Sequence, residues 1–173
     1  MRMSLLFSLI GFLTVGLFPV SAALSDIEIK AVREKLGEDI FRKDGDTRVS
    51  KKEILYNITI QSKTFKDLSK LTARYMIFYY DSDFGSPDKA EEKSKSGSEN
   101  ILFLKSNTSV TFKTDPLILT TEKLDNNVIW ANGASSKSRD RVSGVWVRVF
   151  AEDGSLVGEY ANPSSITKRI WKD

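Results

Sequence analysis

Residues 145–160 read Val-Trp-Val-Arg-Val-Phe-Ala-Glu-Asp-Gly-Ser-Leu-Val-Gly-Glu-Tyr, and this stretch decides the fold. Val145, Val147 and Val149 alternate with Trp146, Arg148 and Phe150, the period of two that gives a β-strand two distinct faces. Glu152-Asp153-Gly154-Ser155 supplies turn chemistry, with glycine where the chain can take positive φ, and Leu156 to Tyr160 returns beside the first strand. Asn162-Pro163 ends the hairpin, since proline has no N–H to extend the ladder.

Working outward, the same period recurs. Ile54, Tyr56, Ile58 and Ile60 alternate with Leu55, Asn57 and Thr59, predicting a strand with one strongly apolar face. Arg74 to Tyr80 carries aromatic residues on both faces, as a strand covered on each side does. Residues 101–104 and 109–113 are shorter strands, and Pro116 stops the latter from continuing. Val128-Ile129-Trp130 runs into the turn pair Asn132-Gly133, which puts Trp130 in the core or at its rim. Short strands separated by such turns predict an all-β protein, an immunoglobulin-like antiparallel β-sandwich.

Three stretches are less regular. Ser25 to Glu28 reads as a capping box with Leu24 and Ile29 as a staple and Gly37 as a stop, which would make 26–36 a short N-terminal helix. Ile27, Ile29 and Ala31 also alternate like a first strand, and the β character of everything downstream favours that reading. Residues 82–99 are almost entirely Ser, Gly, Pro, Lys, Glu and Asp, which predicts a long mobile loop, and 135–141 resembles it. Asp44-Gly45-Asp46 fails the register of a calcium loop and reads as a hairpin turn. Asp81, Asp83 and Asp88 match no cation-loop spacing and read as solvated loop acids, so no metal site is expected.

The first 22 residues have a basic start at Arg2, an apolar run from Leu5 to Val20, and the small-residue ending Val20-Ser21-Ala22. This order predicts a cleavable signal peptide, leaving one domain over 23–173 with no membrane anchor of its own, in the periplasm or outside the cell. No cysteine follows to take a lipid, and no carboxylate stands where a pilin leader needs one.

Removing that segment leaves 25 basic and 23 acidic side chains, spread along the chain without a basic stripe, so a nucleic-acid partner is not expected. The chain has no histidine and no cysteine. Ser-His-Asp and Cys-His catalysis, thiol redox chemistry and the usual zinc and copper sites are thereby excluded. No pair of acids has a spacing that marks a glycosidase, and Ser50-Lys51, Ser94-Lys95 and Ser136-Lys137 lie in polar segments where lysine keeps its charge. Neither an enzyme nor a cofactor is expected.

With the valines of 145–149 facing the core, Trp146, Arg148 and Phe150 share the opposite face, Arg148 between two rings as in a cation–π contact. That face is the candidate interaction surface, for a protein or for a stacked glycan. The competing arrangement closes it with a crossing loop or with the C-terminal tail and its Ile170 and Trp171, and is favoured because large apolar patches are seldom left open.

Tyr56-Asn-Ile-Thr-Ile60, Phe65-Lys-Asp-Leu68 with Leu71, Tyr75-Met-Ile-Phe78 and Gly144-Val-Trp-Val-Arg-Val-Phe150 together resemble small exported immunoglobulin-like proteins of verrucomicrobial gut bacteria, some of them linked with pilus-like envelope systems. The resemblance covers about half of the chain beyond the signal, and the chain lacks the inter-sheet cysteine pair of true immunoglobulin domains. It implies a sandwich fold and an accessory or adhesive role at the cell envelope through a protein partner. The alternative is a carbohydrate-binding module that uses exposed aromatic rings.

Overall fold

The computed structural model describes residues 26–83, 90–124 and 137–171. Nine strands follow one another: β1 (Ile27–Lys43), β2 (Thr47–Ser62), β3 (Leu68–Asp81), β4 (Glu91–Leu104), β5 (Ser109–Lys113), β6 (Leu117–Leu124), β7 (Lys137–Arg139), β8 (Arg141–Phe150) and β9 (Leu156–Asn162), with a 3-10 turn at Ser164–Lys168. The expected signal segment, Val128 to Trp130 and the expected Asn132-Gly133 turn lie outside the described residues.

Every pairing is antiparallel, in two sheets ordered β1-β2-β6-β7, with β5 also on β2, and β4-β3-β8-β9. Pairing of the second strand with the fifth and sixth, and of the third with the eighth, gives the B–E and C–F neighbours of an immunoglobulin-like sandwich, β4 and β9 standing where C′ and G stand. The alternating apolar residues fill the space between the sheets: Ile54, Ile58 and Ile60 from β2, Ala73, Tyr75 and Ile77 from β3, and all three valines of β8.

Residues 27–43 form a strand and not a helix. β2 offers a 16-residue partner with an apolar face, so Ile27 and Ile29 are buried opposite Ser62 and Ile60, which outweighs the local capping signal. A bulge interrupts β1 between Lys35, opposite Ile54, and Gly37, opposite Glu53, leaving Leu36 as the extra residue. The Asp44-Gly45-Asp46 turn is confirmed, with φ of 51° at Asp44 and 76° at Gly45. Gly154 takes φ 81° in the β8–β9 turn, and β5 ends before Pro116.

The expected loop over 82–99 is corrected in its second half, because residues 91–99 belong to β4; residues 84–89 lie outside the described set. β4 pairs with β3 from Asp81↔Glu91 to Leu68↔Leu104. Its order comes from the backbone ladder to a well-buried neighbour, a source that side-chain composition does not reveal. As the last strand of its sheet it tolerates polar residues on both faces, and Lys93 and Lys95 are the kind of side chain that guards an edge.

Candidate functional site

Trp146 lies on the outer face of β8, yet it is only 2% exposed. The tail beyond β9 folds back over this face, and Ile166 joins Met76, Phe78 and Trp146 in a second small core with Trp171 packed against it. Gly144 makes room for this cover, since a Cβ there would run into Ile166, the Asn162 carbonyl and Pro163. Trp171 meets Trp146 edge to face at 4.9 Å. Arg169 spans the edge of the lid, with its guanidinium 5.0 Å from the Phe78 ring and 2.7 Å from Glu92.

Arg148 does lie between two rings, at 4.2 Å from Trp146 and 5.1 Å from Trp171. Its expected second ring, Phe150, is instead paired with Arg74 at 5.4 Å. Glu159 of β9 accepts hydrogen bonds through one oxygen from Trp146 Nε1 at 2.9 Å and from Arg148 Nε at 2.8 Å. The structure therefore splits the set Trp146, Arg148 and Phe150. The tail closes this face, as the arrangement favoured from the sequence has it, with Ile166 and Trp171 as the cover while Ile170 is exposed; the Trp146 ring is covered and its one donor occupied, so it presents no stacking platform.

The titratable groups displaced from their ordinary values serve the scaffold. Burial raises the Asp140 carboxyl, whose two oxygens accept the Thr120 N–H at 2.7 Å and the Ser82 N–H at 3.0 Å, tying β6 to the end of β3. Burial likewise raises Tyr75, whose hydroxyl accepts the Asp115 N–H at 2.9 Å. Among the described residues no group of three acids could hold a metal ion.

Among the described residues, two exposed regions stand at opposite ends of β2. At its C-terminal end, Phe65 is 91% exposed, Leu102 79% and Phe103 52%. Asp67 accepts the Ser106 N–H at 2.8 Å, which fastens the β2–β3 link carrying Phe65 to the β4–β5 turn just past Leu102 and Phe103. Phe65 on this link and Leu102 and Phe103 on β4 are thus large apolar side chains exposed at one end of an ordered scaffold, as at contact surfaces.

At the other end, the inner face of the first sheet runs beyond the apolar core and opens into a cavity of 440 Å³. Buried Ile54 and Leu119 line it together with Arg33, Arg48, Lys52, Lys123, Arg139 and Arg141. The charge expected to be spread along the chain is thus gathered in space. Among the described residues lining the cavity, the acids are Glu38 and Asp140. Glu38 is held at about 2 by hydrogen bonds from Lys35 at 2.6 Å and Ser50 at 2.5 Å.

No family model matches the chain, and no curated protein matches it. Solved structures that align with it include a Northeast Structural Genomics Consortium target, 10% identical over 79% of this chain and 85% of its own, with a TM-score of 0.37. A Bordetella pertussis structural-genomics target given the name ApaA has the same identity and TM-score over 79% of this chain and 91% of its own. A protein from Akkermansia muciniphila is 14% identical over 78% of this chain and 71% of its own, with a TM-score of 0.27. The two-sheet fold and its strand order stand on the pairings above.

Proposed function

We propose that the chain is an exported, non-enzymatic protein-interaction module of the bacterial envelope, an accessory or adhesin of a surface structure such as a pilus. The observation that carries this reading is the exposure of Phe65, Leu102 and Phe103, three large apolar side chains on segments that the Ser106–Asp67 hydrogen bond fastens together. Glu34, Asp140 and Tyr75, whose titration is displaced, are occupied in tying strands or their ends together, which also supports it. Glycan stacking on Trp146 is the weaker reading, since the tail covers that ring.

The test is cross-linking and capture from envelope extracts of the source bacterium, with the parent protein and a Phe65→Asp/Leu102→Ser variant of equal thermal stability. A specific partner recovered by the parent and lost with the variant is the expected result. Recovery of the same partner by both, or of none by the parent, would overturn the assignment of this surface.

A further inference from the structure

β1 is the outermost strand of its sheet and runs for 17 residues, with β2 as its ladder partner among the described residues. Val32, Leu36, Ile40 and Phe41 are all exposed along it. A long edge strand that carries apolar side chains is a template for a further strand. The feature that selects which strand fits is the bulge at Leu36.

The bulge changes which residues face inward: odd-numbered ones up to Lys35, then Glu38 and Ile40 beyond it. A strand added alongside keeps its two faces on the correct sides only if it changes parity at the same level. An antiparallel copy of β1 does so in two registers, with Leu36 of one copy opposite either Gly37 or Lys35 of the other. The first register sets Glu34 against Asp39, twice by symmetry, and facing like charges destabilise a ladder. The second sets Arg33 against Glu38 on the inner face, again twice, and brings no like charges together from Lys30 to Phe41. It also puts Ala31 opposite Ile40, and Val32 diagonal to Phe41 on the outer face.

We propose that the chain forms a two-fold dimer through β1, the first sheet of one copy continuing into that of the other over residues 30 to 41, roughly 40 Å of strand. Self-complementarity is what commits the edge to a second copy, since every favourable contact occurs twice about the two-fold axis. The start of β1 stays outside the joint, because Ile27 to Ile29 share a cavity with Ser155 to Glu159 at the head of β9. Glu38 already accepts Lys35 and Ser50, and a carboxylate has lone pairs for a further donor.

Sedimentation equilibrium of the purified protein over a range of concentrations reads the association, and a reversible dimer is expected. Arg33→Glu should weaken it at least tenfold, and the exchanged variant Arg33→Glu/Glu38→Arg should return to within about threefold of the parent. The chain has no cysteine, so introduced pairs give a second readout. On mild oxidation Arg33→Cys/Glu38→Cys should link into a covalent dimer, while Glu34→Cys/Asp39→Cys should stay monomeric on a non-reducing gel. Within one chain residues 33 and 38 are roughly 15 Å apart along the strand, too far to bridge. A protein that is monomeric at every concentration, a dimer indifferent to Arg33→Glu, an exchanged variant no tighter than Arg33→Glu, or linkage through 34 and 39 in place of 33 and 38 would overturn the proposal. None of these outcomes depends on Phe65 or on the captured partner.

Discussion

Gly144→Ala is the sharpest test of the tail's role, because two opposite effects compete at that position. Gly144 is in the interior of β8, opposite Phe78. A glycine inside a strand is ordinarily less stable than alanine by about 0.5–1 kcal/mol, so from the backbone alone the change should stabilise. The space decides otherwise. An added Cβ would be 2.5 Å from the Asn162 carbonyl oxygen and 2.9 Å from Pro163 Cδ, and closer still to Ile166 Cδ1. Overpacking of this kind costs about 1–3 kcal/mol. If the strand yields by releasing Ile166, which is 1% exposed, the loss approaches the roughly 2–5 kcal/mol of an emptied isoleucine site.

A net loss of about 2 kcal/mol, divided by a urea m-value of about 2 kcal/mol/M, lowers the unfolding midpoint by about 1 M. Urea titration followed by tryptophan emission measures this. The native spectrum should also move to the red as Trp146 loses its cover. In an Ile166→Ala background the same glycine change should cost less, because the Cδ1 clash is gone while the carbonyl clash remains. A Gly144→Ala protein that unfolds at the same or higher urea, with unchanged native emission, would refute the account of the tail as a packed lid.

Gly97→Ala should fail for a related reason: its Cβ would run into the Tyr75 ring, whose hydroxyl also receives the Asp115 N–H, and a loss of about 1–3 kcal/mol is expected in urea unfolding. Asp140→Asn keeps one carbonyl acceptor where two carboxylate oxygens now serve, and should cost about 1–3 kcal/mol, with faster amide exchange at Thr120 or Ser82 as the specific sign. Acid should weaken the fold through Glu28 and Glu38, each held at about 2 against an ordinary 4.5, Glu28 by Lys63 and Lys30 and Glu38 by Lys35 and Ser50. Their folded values are depressed, so their stabilisation is complete above 4.5 and is lost as pH falls from there toward 2, which urea midpoints across that range will show. Asp140 acts in the opposite sense, its raised value removing stability as pH rises above 3.8.

How much of this was legible in the sequence depends on where each order originates. The β8–β9 hairpin and β2 were readable because side chains alone specify them: valines and isoleucines at every second position, with a glycine at the turn. Residues 91–99 were not, since nothing in Glu-Glu-Lys-Ser-Lys-Ser-Gly-Ser-Glu asks for a strand, and only the ladder to β3 orders them. The alternation around Trp146 correctly separated two faces of β8, but it could not say that Ile166 and Trp171 would close the outer one. The facing of basic side chains across the first sheet was invisible for a different reason. Arg42, Arg48, Lys123 and Lys137 are far apart in the chain, and only the register of three strand pairs aligns them. A search for basic side chains at facing positions of a strand pairing would have found it.

The bulge at Leu36 has a bearing on how this chain can vary. Before it, odd-numbered residues of β1 from Ile27 to Lys35 oppose the inward residues of β2; after it, Glu38, Ile40 and Arg42 do. Deleting Leu36 would rejoin Lys35 to Gly37 in an uninterrupted ladder and leave every other side chain on its present face. Deleting a residue from 39 to 41 and closing the bulge would keep Arg42 opposite Arg48 but turn Glu38 to the other face. Leu36 is therefore the position in β1 where a natural length variant is expected among related chains, with the residues from 38 to 42 kept at constant spacing.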